Sequence, residues 1–141
     1  MEVKVHRKPF GDSIEALVCA FLEQQNLRCI AKNFSCRLGE VDLIMLEPAD
    51  NTLVFVEVRF RANAGRGTAT ESVDWKKQRK LRRTALYYLQ KHANALQAAR
   101  IDVIGVSYRL DETANEHVNG VSYHLFQNHG LVWTRNAVEE C

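Results

Sequence analysis

The chain has 141 residues, of which 46% are hydrophobic and 26% are charged, with 7 glycines and 2 prolines. This length and composition predict a single packed domain over residues 1–141 and exclude a disordered chain. No apolar run approaches the roughly 20 residues that span a bilayer, and the first residues lack the hydrophobic segment of a secretory signal. We therefore expect a cytoplasmic protein without membrane contact. The cysteines show no CxxC pair and no histidine at zinc-finger spacing, and we interpret them as free thiols.

The charges are unevenly distributed along the chain. The net charge of +2 comes from 19 basic and 17 acidic side chains. Residues 56–83 contain nine basic and three acidic side chains, a local excess of +6, and the rest of the chain carries −4. A concentrated basic segment is typical of a surface that neutralises nucleic-acid phosphates, although a solvated helix face has the same composition.

The order of predicted elements indicates a mixed α/β sheet covered by helices. Apolar residues recur at helical spacing from Ile14 to Leu22, which predicts a first helix beginning at Asp12 or Ser13. A second helix is predicted over residues 72–92, after a loop over 61–70. Its predicted buried stripe consists of Leu81, Ala85, Tyr88 and Leu89. The predicted strands are 28–34, 40–47, 52–60, 101–108 and, with weaker alternation, 121–126. Turn residues at 48–51 join two of these strands into a hairpin.

Each strand of this hairpin carries an acidic residue within an apolar run. Alternation places Glu57 beside Arg59 on one face of its strand and Asp42 on one face of the preceding strand. The residues predicted on the opposite face from Asp42 are Val41, Leu43 and Met45. Burying a carboxylate without partners costs several kcal/mol, so both acids need a cation, a metal or water. If both acids face the same side of the hairpin, their carboxylate oxygens would supply ligands for Mg²⁺. The alternative is that Glu57 pairs with Arg59 or Arg61 and that Asp42 caps a turn.

Both predicted helices carry a polar residue that points toward the sheet. Lys77 precedes Leu81 by four residues and therefore falls on the buried stripe of the second helix. Glu15 flanks the apolar stripe of the first helix, where an ordinary boundary glutamate is the alternative interpretation.

Together these segments resemble a known family. The residues that carry the resemblance are GEVDLI at 39–44, FVEVR at 55–59, Val73, Lys77, Gln78, Asp102 and Val103. They resemble the YraN-like uncharacterised protein family, which is placed in the restriction-endonuclease-like superfamily of PD-(D/E)XK nucleases. The resemblance covers about residues 11–106, the expected core of the domain. It implies a restriction-endonuclease-like mixed β-sheet of four to five strands flanked by helices.

The resemblance also implies a metal site and a set of catalytic residues. Asp42 and Glu57 would bind Mg²⁺ or Mn²⁺ with the Val58 carbonyl, and Glu15 would complete the site. The motif lysine is replaced by Arg59, which stays charged and cannot act as a base. Arg59 can still hold a phosphate, and Lys77 would supply the missing ammonium.

The function implied is a magnesium-dependent endonuclease or DNA-processing enzyme that hydrolyses phosphodiester bonds in structured or branched nucleic acid, with DNA as the expected partner. The residues expected to bind nucleic acid are Arg61, Arg66, Lys76, Gln78 and Lys80. A non-catalytic nucleic-acid-binding module with a degenerate nuclease site is the alternative, and a protein-interaction scaffold is a third class. Many proteins of this fold act as dimers, so a homodimer is also open.

Overall fold

The fold is a five-stranded mixed sheet flanked by two helices. A computed structural model describes residues 14–62, 73–92, 97–108, 116–118, 121–123 and 131–138. The elements are α1 (14–24), β1 (Arg28–Cys36), β2 (Gly39–Glu47), β3 (Thr52–Ala62), α2 (Trp75–His92), β4 (Ala99–Tyr108), β5 (Glu116–Val118), β6 (Val121–Tyr123) and β7 (Leu131–Thr134). The sheet order is β1-β2-β3-β4-β7, and β5 pairs with β6 separately. The predicted restriction-endonuclease-like architecture is confirmed.

The two helices cover opposite faces of the sheet because each presents one apolar stripe. Ile14, Val18 and Leu22 of α1 are fully buried and pack on one face, against a cluster that includes Val56. The predicted caps Asp12 and Ser13 lie outside the described residues.

The second helix begins at Trp75 rather than at the predicted residue 72. Asp74 ends the preceding segment, and its Oδ1 accepts a 2.9 Å hydrogen bond from the backbone N–H of Lys77. This is the contact of an N-cap residue, which satisfies a donor that the first helical turn leaves unpaired. All four residues of the predicted stripe are buried, and they pack against Phe55 on the second face of the sheet.

The hairpin of β2 and β3 lies at the centre of the sheet. The two strands are antiparallel, and Asn51 in the turn between them adopts a left-handed φ of 57°. β3 pairs in parallel with β4, so α2 forms the crossover between them. Residues 53–58 of β3 are buried along their whole length, because helices cover both faces of this strand.

The predicted alternation in β2 is wrong at one position. Leu43 and Met45 pack on the α1 side of the sheet, but Val41 packs on the α2 side with Phe34 of β1. Phe34 is the cross-strand partner of Val41, and the preceding residue, Asn33, has a φ of 52°. The β1–β2 register also shifts between Cys29 and Ala31, as at a β-bulge. Val41 thus lies with its partner Phe34 on the α2 side of the sheet.

The fifth strand of the sheet lies beyond the segment that carries the family resemblance. β7 pairs with residues 103–106 of β4, and no strand was predicted there. The weak strand predicted over 121–126 corresponds to the shorter β6, and residues 124–126 lie outside the described part of the chain. Within the described residues, neither helix combines the length and the apolar character that crossing a bilayer requires.

Candidate active site at the open end of the hairpin

The candidate site lies where β2 and β3 separate. Their backbone pairing runs from Glu47–Thr52 to Leu43–Val56 and then ends. Beyond this last pair, the N–H of Val58 donates a 2.8 Å hydrogen bond to Oδ2 of Asp42. β3 remains paired with β4 as far as Ala62. A side-chain carboxylate therefore takes the place of a strand partner and occupies a notch between the two strands.

Three acidic side chains meet at this notch. The carboxyl group of Asp42 lies close enough to those of Glu57 and of Glu15 in α1 for each of these neighbours to affect its pKa. Glu57 is 3% exposed. Two carboxyl groups in contact share a proton unless a cation takes its place, because two adjacent negative charges repel each other. The structure thus brings Asp42 beside both Glu57 and Glu15, the other two predicted metal ligands.

Burial and mutual repulsion change the acidity of the pair. Burial, followed by the negative charge of Asp42, raises the pKa of Glu57 to about 7, although Lys77 and Arg59 oppose the shift. Burial also raises the pKa of Asp42, against the opposing effect of the hydrogen bond from Val58. The contact between the two acids raises the pKa of Glu57 and lowers that of Asp42.

Two cations converge on the same oxygen of Glu57. Lys77 Nζ lies 3.6 Å from Oε2, and Arg59 Nη1 lies 3.3 Å from it. Their side chains are 32% and 34% exposed, so each also faces solvent. The ammonium comes from α2 and the guanidinium from β3, which means that the helix must dock on the sheet before both charges are in place.

The acids are suited to a small hard cation. In the described part of the chain, no three His, Cys, Asp or Glu side chains form a group that could hold a metal ion by themselves. Asp42 and Glu57 form a pair, and Mg²⁺ is commonly bound through one or two carboxylates with water in the remaining positions. The pair has the right donor chemistry, and the role of Glu15 as a third ligand stays a prediction.

The residues predicted to bind nucleic acid are only partly gathered near this site. Lys76 and Lys80 are exposed on the first turns of α2. The Gln78 side chain donates a 2.9 Å hydrogen bond to the Val73 carbonyl, an intramolecular contact that stabilises the start of the helix. Only the backbone of Arg61 is described, as part of β3, and Arg66 lies outside the described residues.

Asp102 belongs to a different part of the fold, although it contributes to the resemblance. It is fully buried and accepts hydrogen bonds from Arg100 Nε (3.1 Å), Trp133 Nε1 (2.9 Å) and the backbone N–H of Asn136 (2.8 Å). These contacts attach the C-terminal segment to β4. The sequence contains no local signal for the contacts with Trp133 and Asn136, because these two residues lie more than 30 residues away in the chain.

Comparisons with known proteins place the chain in a family. The model of the uncharacterised protein family UPF0102 matches residues 14–106. A UPF0102 protein of Aliivibrio fischeri strain MJ11 is 37% identical over 140 residues, which cover 99% of each chain. A UPF0102 protein of Marinomonas sp. strain MWYL1 is 46% identical over 101 residues, which cover 72% of this chain and 78% of that protein.

The matched segment contains both residues of the acid pair, Asp42 and Glu57, and the two cations beside it. The likeness to the Aliivibrio protein also extends over the C-terminal segment that supplies β7. The chain is a member of the uncharacterised protein family UPF0102, the YraN-like family, and its fold is consistent with the restriction-endonuclease-like superfamily.

Proposed function

We propose that the protein is a Mg²⁺- or Mn²⁺-dependent endonuclease that hydrolyses phosphodiester bonds in structured or branched DNA. The observation that carries this proposal is the contact between Asp42 and Glu57 at the open end of the hairpin, with Lys77 and Arg59 beside it. The two acids offer oxygen ligands for a divalent ion, and the two adjacent cations offer positive groups that can bind a phosphate.

The acid pair fits a divalent cation because its present arrangement is costly without one. Asp42 and Glu57 are held in contact although the negative charge of Asp42 raises the cost of ionising Glu57. A bound Mg²⁺ or Mn²⁺ would polarise the phosphodiester and lower the pKa of a water molecule that attacks phosphorus. Asp42 and Glu57 would hold the ion, and Glu15, which lies beside Asp42, is the predicted third ligand.

The two cations have the chemistry to bind the scissile phosphate. Negative charge grows on the non-bridging oxygens during attack, and preorganised positive groups stabilise that charge. Lys77 and Arg59 each keep about a third of the side chain exposed, so both can contact a phosphate without leaving the site. If a metal ion took the charge of Glu57, both side chains would be available for this contact.

The alternative function is a non-catalytic nucleic-acid-binding module. The position of the motif lysine is occupied by Arg59, and a guanidinium cannot accept a proton near neutral pH. In this alternative, Glu57 remains bound to Arg59 and Lys77, and the site contributes charge only.

Nuclease assays on the full chain separate the two functions. The protein is incubated with plasmid, single-stranded DNA and a four-way junction, in Mg²⁺, Mn²⁺ or EDTA. Variants Asp42→Asn and Glu57→Gln remove one ligand each at nearly constant volume. Asp50→Asn is the matched control, since Asp50 is an exposed carboxylate at the opposite end of the same hairpin.

We expect metal-dependent cleavage, with the junction as the preferred substrate, that both site variants lose and Asp50→Asn retains. Losing one metal ligand should reduce the rate by at least about 100-fold, the scale set by removal of a single transition-state contact. Binding without cleavage of any substrate would establish the module instead. Cleavage that persists in both site variants would show that the activity does not come from this site.

A further inference from the structure

A polar cleft lies between the β1–β2 turn and the first turns of α2. It has a volume of about 390 Å³ and is lined by residues 35–40 together with Lys77 and Lys80. Lys77 also contacts Glu57, so this lysine lies both in the cleft and beside the acid pair. The cleft therefore opens next to the candidate active site.

The walls of the cleft are fixed by a close contact between the turn and the helix. Gly39 has a φ of 152°, and a Cβ at this position would lie 2.8 Å from Oγ1 of Thr84. Thr84 is fully buried, and its hydroxyl donates a 2.8 Å hydrogen bond to the Lys80 carbonyl. Only glycine allows the turn to approach α2 this closely. The turn is thus seated on the helix, which brings the backbone of the turn residues close to the first turns of α2.

The cleft carries an excess of positive charge. Arg37, Lys77 and Lys80 line it together with a single acidic residue, Glu40. Among the described residues, neither Arg37 nor Lys80 has an ion-pair partner, and both are exposed. Arg37 lies far in sequence from the basic stretch 56–83 and comes next to it only through the docking of the turn on α2.

We propose that this cleft binds the sugar-phosphate backbone of a nucleic-acid strand and leads that strand to Glu57 and Asp42. The second part of this proposal, that the bound strand reaches the acid pair, rests on the proposed nuclease function. Unpaired cations that line one cleft bind backbone phosphates without reading the bases, which is the type of contact that positions a nucleic acid. Arg37 and Lys80 are the contacts specific to the cleft, and Lys77 is shared with the active site.

The test compares two double variants of the full-length protein that have the same net charge. Arg37→Gln with Lys80→Gln removes the two cleft cations. Arg28→Gln with Lys91→Gln removes one cation from the start of β1 and one from the last turn of α2. Arg28 lies roughly 25 Å from the turn along the strand, and Lys91 lies about 16 Å along the helix from Lys80.

Binding is measured in EDTA by fluorescence anisotropy, with a short labelled DNA duplex and a labelled single strand, between about 50 and 200 mM salt. Thermal unfolding checks that all variants are folded. For the duplex, each lost phosphate contact should reduce the slope of log affinity against log salt by about 0.9. The cleft variant should therefore lose about 1.8 in slope and bind about 10- to 100-fold more weakly at low salt.

Equal effects of the two double variants would overturn the proposal, because total charge and not the cleft would then set the affinity. Failure of the wild-type protein to bind either DNA would also overturn it. A cleft-specific loss of affinity supports the cleft even if no substrate is cleaved in Mg²⁺ or Mn²⁺, in which case only the proposed hydrolysis fails. Cleavage with no cleft-specific effect on binding would overturn the cleft and leave the nuclease proposal standing.

Discussion

Lys77 Nζ lies 3.6 Å from Oε2 of Glu57, yet the pKa of this carboxyl group is raised to about 7. A single nearby ammonium normally lowers the pKa of an acid. Here burial and the adjacent Asp42 outweigh Lys77 and Arg59. The site is therefore short of positive charge at neutral pH, and its response to pH, substitution and metal can be predicted.

Replacing Glu57 with glutamine should stabilise the metal-free protein at alkaline pH. The folded-state pKa of Glu57 is above its ordinary value of 4.5, so wild-type stability is highest below pH 4.5 and falls as pH rises through about 7. Glu57→Gln removes this titration. Relative to wild type, the variant should gain on the order of 3 kcal/mol between pH 5 and pH 8, at about 1.4 kcal/mol per pKa unit.

Urea unfolding in EDTA at both pH values measures this difference. The control is Glu47→Gln, because Glu47 Oε1 lies 2.6 Å from Arg100 Nη1 in an ordinary ion pair. That variant should be less stable than wild type at both pH values. If the difference between Glu57→Gln and wild type does not change with pH, Glu57 does not carry a raised pKa. A marked loss of stability in Glu57→Gln at pH 8 would favour the scaffold interpretation, in which the acid serves mainly as an ion-pair partner.

Divalent metal should stabilise the wild-type protein more strongly at pH 8 than at pH 5.5. Metal ligands must be deprotonated, and Glu57 loses its proton only near pH 7. A ligand present at 100 times its Kd adds about 2.7 kcal/mol to the stability of the folded state. Thermal unfolding with Mn²⁺ or Mg²⁺ measures the effect, which Asp42→Asn should abolish and Asp50→Asn should keep. If metal raised the unfolding temperature of Asp42→Asn as much as that of wild type, the metal would bind at a different site.

Replacing Gly39 with alanine should destabilise the fold, because the turn that lines the cleft could no longer lie as close to α2. The new Cβ would lie 2.8 Å from Thr84 Oγ1, and the φ of 152° is unfavourable for any side chain. We expect a loss of about 1–3 kcal/mol in the free energy of unfolding. In a Thr84→Ala background the clash is absent but the backbone strain remains. Gly39→Ala should therefore cost less stability in that background than it costs in the wild-type protein. Additive effects of the two substitutions would show that Gly39 and Thr84 do not contact each other.

Asp102→Asn should be strongly destabilising without changing the metal response of the folded protein. Removing one partner of a buried ion pair costs about 3–5 kcal/mol, and Asp102 also accepts hydrogen bonds from Trp133 and Asn136. A Trp75→Phe background leaves Trp133 as the only tryptophan, so its fluorescence reports on β7 directly. We expect a lower unfolding midpoint and a changed emission spectrum. An unchanged midpoint would contradict the role of Asp102 in attaching β7.

The amino-acid sequence determined the elements whose signals are local. The helical period of α1 and α2, the β-branched run of β3 and the turn residues at 48–51 depend on neighbours a few positions apart, and the structure has these elements at nearly the predicted positions. Local patterns also identified Asp42 and Glu57 as acids in an apolar hairpin. The start of α2 was placed too early because Asp74 caps the helix, and β7 was not predicted because only four residues form it.

Only the tertiary structure decided which of these side chains meet. The separation of β2 and β3 beyond Leu43 frees the Val58 N–H for Asp42, and the docking of α2 brings Lys77 to Glu57. The face of Val41 likewise depends on its contacts with α2 and β1, and the placement of Arg37 and Lys80 in one cleft depends on the docking of the β1–β2 turn on α2. Strand pairing and helix docking join residues that are distant in the chain, and no periodicity within a single segment encodes that distance.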